Sequence, residues 1–142
     1  MIQIKEATTA DELKFVFAIR EQVFVQEQQV PRHEEYDEFE DTAHHYLALY
    51  NGQPCGTARW RKTDKGVKLE RFAVLSEFRN NQIGAAILQR VLADVKARTK
   101  AGPIYLHAQL PAMRLYERAG FAKQGELFLE CDIEHYKMVL HR

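Results

Sequence analysis

The sequence predicts one mixed α/β domain over residues 1–142, and three observations favour that fold class. The chain has 142 residues, 46% of them apolar, and its 20 basic side chains balance its 20 acidic ones, which is typical of a single globular domain. Asn51-Gly52 lies between two strand-like runs and is the strongest short signal for a β-hairpin. A strand, a helix and a second strand then follow within about 40 residues, which implies a right-handed parallel crossover.

The N-terminal elements are predicted to be a strand and a helix. Residues 2–7 suit a short strand, and Thr9 with Glu12 has the pattern of a capping box at the start of a helix. Apolar residues then recur at helical spacings, at Leu13, Val16, Phe17, Val23 and Phe24. Arg20 falls within this stripe, so we expect it to be buried and paired with a carboxylate of the acidic run 34–41, which itself forms a loop or one short helical turn.

The next elements follow from turn signals and from a change in the hydrophobic period. Three predicted antiparallel strands cover residues 45–50, 54–61 and 67–74. Apolar residues at helical spacing predict a helix from Ile83 to about Arg98, which Gly102-Pro103 ends. The remaining predicted elements are a buried strand at 104–108, a short helix near Pro111 that Gly120 caps, and strands near 125–131 and 135–141.

The composition disfavours several classes of partner. Cys55 and Cys131 fit neither a metal-ligand spacing nor a disulfide framework, so we expect no metal and a reducing, cytoplasmic location. No run approaches the roughly 18 consecutive apolar residues of a membrane span. The basic side chains are scattered and the net charge is zero. We therefore expect neither a membrane nor a nucleic acid as partner.

Residues 79–85 connect a predicted strand to the following helix and form a candidate anion site. Unpaired backbone N–H groups and the positive end of the helix converge at such a turn, so phosphate or pyrophosphate is a natural ligand. The absence of a side chain at Gly84 lets a ligand approach the backbone closely. The candidate residues are Arg79, Asn80, Asn81, Gln82, Ile83, Gly84 and Ala85. A plain strand-to-helix turn without a ligand is the alternative interpretation.

Several segments, in the correct order, resemble the GNAT superfamily of acetyl-CoA-dependent N-acetyltransferases. Residues 79–84 resemble its pyrophosphate motif Q/R-x-x-G-x-G/A, although Gln82 stands where the family usually has its first glycine. Residues 68–74 (KLERFAV) look like its fourth strand, and residues 112–121 (AMRLYERAGF) resemble its A-x-x-x-Y-x-x-x-G-F helix. Residues 20–28 (REQVFVQEQ) are similar to the small bacterial, ElaA-like branch, so the resemblance covers nearly the whole chain.

The resemblance implies the GNAT fold, a mixed central sheet that is splayed at the cofactor site and flanked by helices. It implies acetyl-CoA as the cosubstrate, with its pyrophosphate at the turn 79–85. It also implies that a strand bulge frees backbone N–H groups for the acetyl carbonyl and pantetheine, at Phe72, Ala73 and Val74. Gln109 stands where many members carry Asn and is expected to contact the pantetheine arm.

The resemblance also implies two catalytic side chains. Tyr116 matches the family's tyrosine near the sulfur and is expected to protonate the leaving thiolate. Its alternative role is that of a packing residue on an amphipathic helix. Glu70 is the leading candidate for the base that deprotonates the acceptor amine. Its alternative role is that of an ion-pair partner for Arg59, Arg61 or Arg71.

Other bases and other functions remain open from the residues alone. His45 and His135 are alternative bases, and each is equally explained as a hydrogen-bonded structural histidine. The implied reaction is direct transfer of an acetyl group to a primary amine of a small molecule or peptide, and the acidic run 34–41 favours a cationic amine such as a polyamine. The alternatives are a non-catalytic acyl-CoA binding or sensing module and an acyltransferase that uses acyl carrier protein. The resemblance also allows for a homodimer.

Overall fold

The computed structural model describes all of residues 1–142, which form seven strands and four α-helices. The strands are β1 (Ile2–Ala7), β2 (His44–Tyr50), β3 (Gln53–Thr63), β4 (Gly66–Val74), β5 (Ile104–Gln109), β6 (Ala122–Glu130) and β7 (Ile133–Leu140). The helices are α1 (Ala10–Arg20), α2 (Arg32–Glu35), α3 (Ile83–Arg98) and α4 (Met113–Arg118). A π-helical segment (Glu21–Glu27) directly extends α1, and 3₁₀ turns span Ser76–Phe78 and Leu110–Ala112.

All seven strands belong to one mixed sheet with the order β1-β2-β3-β4-β5-β7-β6. The adjacent strands within β1-β2-β3-β4 are antiparallel to one another, and so are those within β5-β7-β6. The pair formed by β4 and β5 is parallel, with α3 as the crossover between them. The mixed α/β fold class and the parallel crossover predicted from the sequence are confirmed.

Helices cover both faces of the sheet, as the alternation along β2 shows. Tyr46 and Ala48 belong to the larger apolar cluster, to which α3 contributes its buried stripe. Leu47, between them, belongs to a second cluster with Val16 and Ile19 of α1. Because successive strand residues point to opposite faces, α1 and α3 lie on opposite sides of the sheet.

Local sequence signals account for the main turns and helix starts. The Thr9 side chain accepts a hydrogen bond from the Glu12 backbone, and the Glu12 side chain accepts one from the Thr9 backbone, which completes the predicted capping box. Asn51 and Gly52 both have positive φ, 50° and 85°, as the two-residue turn of a tight hairpin requires. None of the helices is both long and apolar enough to cross a membrane.

Element boundaries differ from the prediction where a turn residue lies inside a strand. We predicted that β6 starts near Gly125, but it starts at Ala122, and Gly125 sits within it with φ of 83°. The β6–β7 register shifts between Gln124 and Phe128, so this glycine serves a bulge rather than a strand end. The acidic run contributes the single turn α2, which agrees with the short helical turn expected there.

Candidate active site

A cleft opens where β4 and β5 separate. The two strands pair only from Val67 to Leu69 and from Ile104 to Leu106, and beyond these residues they diverge. The cleft between them has a volume of about 510 Å³, and the π-helical segment Glu21–Glu27 contributes to its wall. The sheet is therefore splayed at the position that the family resemblance implies.

A bulge in β4 lies at the edge of this cleft. Arg71 and Phe72 together face Ala58 of β3, because the register shifts between the pairs Thr57–Ala73 and Arg59–Glu70. Arg71 has φ of 60°, an unusual value for a residue with a β-carbon. A bulge leaves one residue out of the hydrogen-bonded ladder. The three residues expected to donate backbone hydrogen bonds all line the cleft: Phe72, Ala73 and Val74.

Tyr116 of α4 lies in the wall of the same cleft. Its ring packs edge-on against Phe72, with centroids 5.7 Å apart, and against Phe121, with centroids 6.1 Å apart. Burial raises the pKa of Tyr116, and no hydrogen bond or neighbouring charge contributes to that shift. The ring is therefore fixed by packing, while its hydroxyl group has no partner within the protein and remains protonated at neutral pH.

Glu70 is also at the cleft, but arginines engage its carboxylate. Its Oε2 atom accepts hydrogen bonds from Arg59 at 2.7 Å and from Arg61 at 2.8 Å. Burial pushes the pKa of Glu70 upward, but the charge of Arg59 and the hydrogen bond from Arg61 outweigh burial and hold the pKa below its usual value. These contacts match the alternative role as an ion-pair partner and make Glu70 a weak proton acceptor.

The acidic run is largely neutralised by buried arginines. Arg20 is fully buried and donates to Glu35 at 2.8 Å and to both oxygens of Glu40 at 2.8 Å, so the predicted burial and pairing of Arg20 are confirmed. Arg59 is equally buried and donates to both oxygens of Asp37 at 2.9 and 2.6 Å. Three of the six carboxylates of this run thus have arginine partners, and the attraction of a cationic amine to the run stays a prediction.

The turn 79–85 has the backbone geometry of an anion site. Gln82 precedes α3 with φ of 62°, and its side chain does not cap the helix, so the backbone N–H groups of the first helical turn are not satisfied by a cap. Asn81 donates to the carbonyl oxygens of Phe78 and Arg79 and so holds the turn in place. Asn80 has φ of 68°. Ile83 and Ala85 lie in the first turn of α3, with the Ile83 side chain in the core.

Arg79 and Gly84, two residues of the predicted cofactor site, have neighbours within the protein that the sequence did not predict. Arg79 donates to both carboxylate oxygens of Glu27 at 2.7 and 2.8 Å, and its Nε donates to the Val74 carbonyl. Gly84 presents its open side to Leu115 of α4, where an added β-carbon would be at 3.5 Å, an ordinary contact. A β-carbon would therefore fit here without strain, and the role predicted for Gly84 in letting a ligand approach the backbone stays a prediction.

Gln109 ends β5 at the rim of the cleft. Its amide Nε2 donates to Oε1 of Gln28 at 2.9 Å, across the cleft. Together with the contact between Arg79 and Glu27, this hydrogen bond ties the segment that follows α1 to both of the separating strands. Gln109 thus lines the cleft, as a contact with the pantetheine arm requires, but its amide group already donates to Gln28.

Three of the four histidines on the strands of the sheet differ in what they can do. His45 is buried, its Nε2 donates to the Glu40 carbonyl at 2.7 Å, and burial lowers its pKa, so it is a structural residue outside the cleft. His135 lines the cleft and its Nδ1 donates to the Ile133 carbonyl at 2.7 Å. His107 lines the cleft with Nδ1 at 3.3 Å from Oε1 of Glu130. The pair of His107 and Glu130 was not predicted, because its members lie on strands that are distant in sequence.

The chain contains no group of three or more histidine, cysteine or acidic side chains arranged to hold a metal ion. The polar groups at the cleft are instead single donors and acceptors, suited to binding and proton transfer. They comprise backbone groups at the bulge, one tyrosine hydroxyl, two imidazoles and an arginine–carboxylate network.

Comparisons with known proteins identify relatives that match nearly the full length. The uncharacterized N-acetyltransferase YjcF of Bacillus subtilis is 38% identical over 135 residues, which cover 94% of this chain and 95% of the relative. The crystal structure of Escherichia coli ElaA superposes with a TM-score of 0.88 at 25% identity and covers 98% of this chain and 99% of that one. An acyl-CoA N-acyltransferase from Pseudomonas aeruginosa superposes with a TM-score of 0.82 at 29% identity, with 98% and 97% covered.

The model of the acetyltransferase (GNAT) domain matches residues 5–142, so the match includes the bulge in β4, the turn before α3 and Tyr116. The superposition on ElaA covers 98% of this chain, which includes both β4 and β5. The chain therefore belongs to the GNAT family of acetyltransferases.

Proposed function

We propose that the protein transfers an acetyl group from acetyl-CoA to the primary amine of a small molecule or peptide, by direct attack of the amine on the thioester. Membership of an acetyltransferase family supports acyl transfer. The observation that favours this reaction in particular is the Tyr116 hydroxyl, which is protonated, without a partner, and located in the cleft between the separating strands. A leaving thiolate needs such a proton source.

The residues at the cleft fit acetyl-CoA in three places. The uncapped first turn of α3 suits the pyrophosphate, because free N–H groups and the helix dipole both favour an anion. The gap between β4 and β5 suits the pantetheine arm, which can replace the missing strand-to-strand hydrogen bonds. The bulge at Arg71 and Phe72 offers backbone N–H groups to the acetyl carbonyl, where negative charge develops during attack.

In the proposed reaction, the backbone N–H groups at the bulge and the Tyr116 hydroxyl act on different atoms of the thioester. The N–H groups stabilise the oxyanion of the tetrahedral intermediate, an effect that typically contributes about 10²–10³ in rate per donor. Tyr116 then supplies a proton to the sulfur as the C–S bond breaks. Covalent attachment to the protein is not needed, since the one cysteine at the cleft, Cys131, donates to Glu34 and has a pKa raised to about 11 by burial.

A screen of amines tests this function and separates it from a binding module. The purified chain is incubated with acetyl-CoA and one of a panel of primary amines, and both the released thiol and the N-acetylated amine are quantified. We expect equal amounts of the two products for at least one amine. Tight binding of acetyl-CoA without thiol release for any amine or peptide would instead favour an acyl-CoA sensing module. Release that requires an acyl group presented on acyl carrier protein would favour the synthase-like alternative.

A further inference from the structure

His107 occupies the point at which the sheet opens. The last parallel pair joins Leu69 of β4 to Leu106 of β5, so Glu70 and His107 are the first residues beyond it, one on each strand. Adjacent strands in register present the same face at paired positions, so both side chains lie on the same side of the sheet. That side is the one covered by α1 and the acidic run, because Glu70 contacts Arg59, which also binds Asp37.

The His107 ring is held in one orientation by a carboxylate and by aromatic packing. Its Nδ1 is 3.3 Å from Oε1 of Glu130, and a hydrogen bond from His107 lowers the pKa of Glu130. The ring packs edge-on against Phe128, with centroids 5.1 Å apart, and Phe128 stacks on His135 at 5.7 Å. The neutral imidazole therefore carries its proton on Nδ1. Its Nε2 has no hydrogen-bond partner in the protein and is not fully enclosed.

Charged and titratable groups face His107 from every neighbouring element. Lys68 and Glu70 lie on β4, Lys137 and His135 on β7, Glu130 on β6, and Tyr105 on β5 itself. Lys68 is 3.5 Å from Glu70, and Lys137 lies over the Tyr105 ring at 5.2 Å. Glu130 is thus the anion in direct contact with the imidazole.

We infer that His107 is the general base that deprotonates the acceptor amine, and that Glu130 is the positioning residue that fixes its tautomer. This inference rests on the proposed acetyl transfer and names the residue that takes the proton. A histidine whose Nδ1 is bound to a carboxylate presents a basic Nε2 to the substrate and gains a counter-charge when protonated. Glu70 is the weaker candidate, because two arginines already bind its carboxylate.

The proton and electron balance is complete without a further reactant. Nε2 of His107 takes one proton from the substrate ammonium, and the freed lone pair forms the C–N bond to the thioester carbon. The C–S bond breaks, its electron pair leaves on sulfur, and the Tyr116 hydroxyl protonates the sulfur. The second proton lost by the nitrogen passes through water to restore the tyrosine. One amide and one thiol result, and the proton held by His107 is released to solvent.

His135 provides a matched control within the same cleft. It stacks on the same phenylalanine, but its Nδ1 is bound to a neutral carbonyl group, and it lies on β7, behind β5 as viewed from β4. A substitution of His135 therefore changes the packing of Phe128 in a similar way without removing the proposed base. Variants His107→Gln and His135→Gln separate packing from proton transfer.

The test compares two nucleophiles with saturating acetyl-CoA. Benzylamine is protonated at neutral pH and needs a base, whereas hydroxylamine is already unprotonated and does not. We expect His107→Gln to lose about 10²–10⁴-fold in kcat with benzylamine and to retain hydroxylamine turnover. His135→Gln should lose much less turnover of benzylamine than His107→Gln. Glu130→Gln should lower kcat with benzylamine and retain hydroxylamine turnover, because the imidazole loses the contact that fixes its proton on Nδ1; a purely structural role would reduce turnover of both.

Each outcome decides a separate claim. Equal turnover of benzylamine by wild type and His107→Gln would overturn the role of His107 and leave acetyl transfer standing. If a folded His107→Gln variant lost turnover of both nucleophiles to the same extent, His107 would have a packing role and would not be the base. Wild-type protein that turns over neither these nucleophiles nor any amine or peptide of the panel would refute the proposed function, and the base with it. Nitrogen NMR of the imidazole rings should also show the proton of neutral His107 on Nδ1, and loss of that preference in Glu130→Gln.

Discussion

Glu70 and His107 face the same side of the sheet immediately beyond its last parallel pair, one on each of the two strands that separate. Their environments differ sharply. The carboxylate is bound by Arg59 and Arg61, whereas the imidazole has one carboxylate neighbour and an unoccupied Nε2. At this position in the cleft, β4 therefore contributes a carboxylate that arginines neutralise. Strand β5 contributes the imidazole that we propose as the base.

The buried arginine network should contribute strongly to the free energy of unfolding, because it joins α1 to α2 and the acidic run. Arg20→Ala removes a fully buried guanidinium from Glu35 and Glu40, which keep only their contacts with Arg71 and Arg59, so we expect a loss of about 3 kcal/mol in denaturant melts. Arg32 is the control, since it also pairs with a glutamate, Glu21, but is 70% exposed. Arg32→Ala should leave the melt nearly unchanged. Wild-type stability with lost turnover in Arg20→Ala would place Arg20 in the acceptor site instead.

Asp37 should make the protein sensitive to acid. Burial pushes its pKa upward, but hydrogen bonds from Arg59 and from the Phe39 backbone outweigh burial and hold the pKa at about 2, below the ordinary 3.8. An acid with a lowered pKa in the folded state stabilises the fold when ionised. This stabilisation is fully present above 3.8 and is lost as the pH falls toward about 2. Chemical melts over this range should show a shallower decline for Asp37→Asn, and an equally steep decline would contradict the assignment.

The turn before α3 should determine the affinity for the pyrophosphate. Gln82→Glu adds a negative charge beside the free N–H groups of the first turn, and we expect acetyl-CoA affinity to fall by about tenfold, or about 1.4 kcal/mol, in calorimetry. Gln82→Gly is the control, because glycine accepts the observed φ of 62° without strain. It should bind acetyl-CoA at least as tightly as wild type. Equal affinities of Gln82→Glu and wild type would remove the pyrophosphate from this turn.

Arg79 already has an anionic partner at the predicted cofactor site. Three of the five N–H groups of its guanidinium donate to Glu27 and to the Val74 carbonyl, so Glu27 competes with a phosphate for this charge. Glu27→Gln weakens this contact, so acetyl-CoA should bind more tightly to that variant if Arg79 contacts a phosphate. Arg79→Ala should then bind less tightly than wild type. An unchanged affinity in both variants would show that the ion pair only ties the segment after α1 to β4.

Signals that act within a few residues could be predicted from the sequence. The capping box of Thr9 and Glu12, the Asn51-Gly52 turn and the helical spacing from Ile83 to Arg98 all depend on neighbouring residues, and each is found in the fold. The residues of β4 that line the cleft were predicted as well, but from the family resemblance rather than from local signals. Composition and spacing alone do not reveal where β4 and β5 part.

The remaining features depend on contacts between distant residues. Arg71 and Gln82 adopt positive φ without being glycine, so their sequence carries no sign of the bulge or of the turn geometry. The pairing of Glu70 with Arg59 was one of the alternatives that the sequence left open, and the β3–β4 register selects it. His107 meets a carboxylate 23 residues away only because β7 lies between β5 and β6 in the sheet.

Turnover and cofactor affinity of Tyr116→Phe, measured on the same preparation, test the central claim most directly. The substitution keeps the ring that packs against Phe72 and Phe121 and removes only the hydroxyl group. If Tyr116 protonates the thiolate, kcat for thiol release with an accepted amine should fall by about 10²–10⁴-fold, while acetyl-CoA affinity and the melting curve stay at wild-type values. Full activity in a folded Tyr116→Phe variant would contradict the account, because another group or water would then supply the proton.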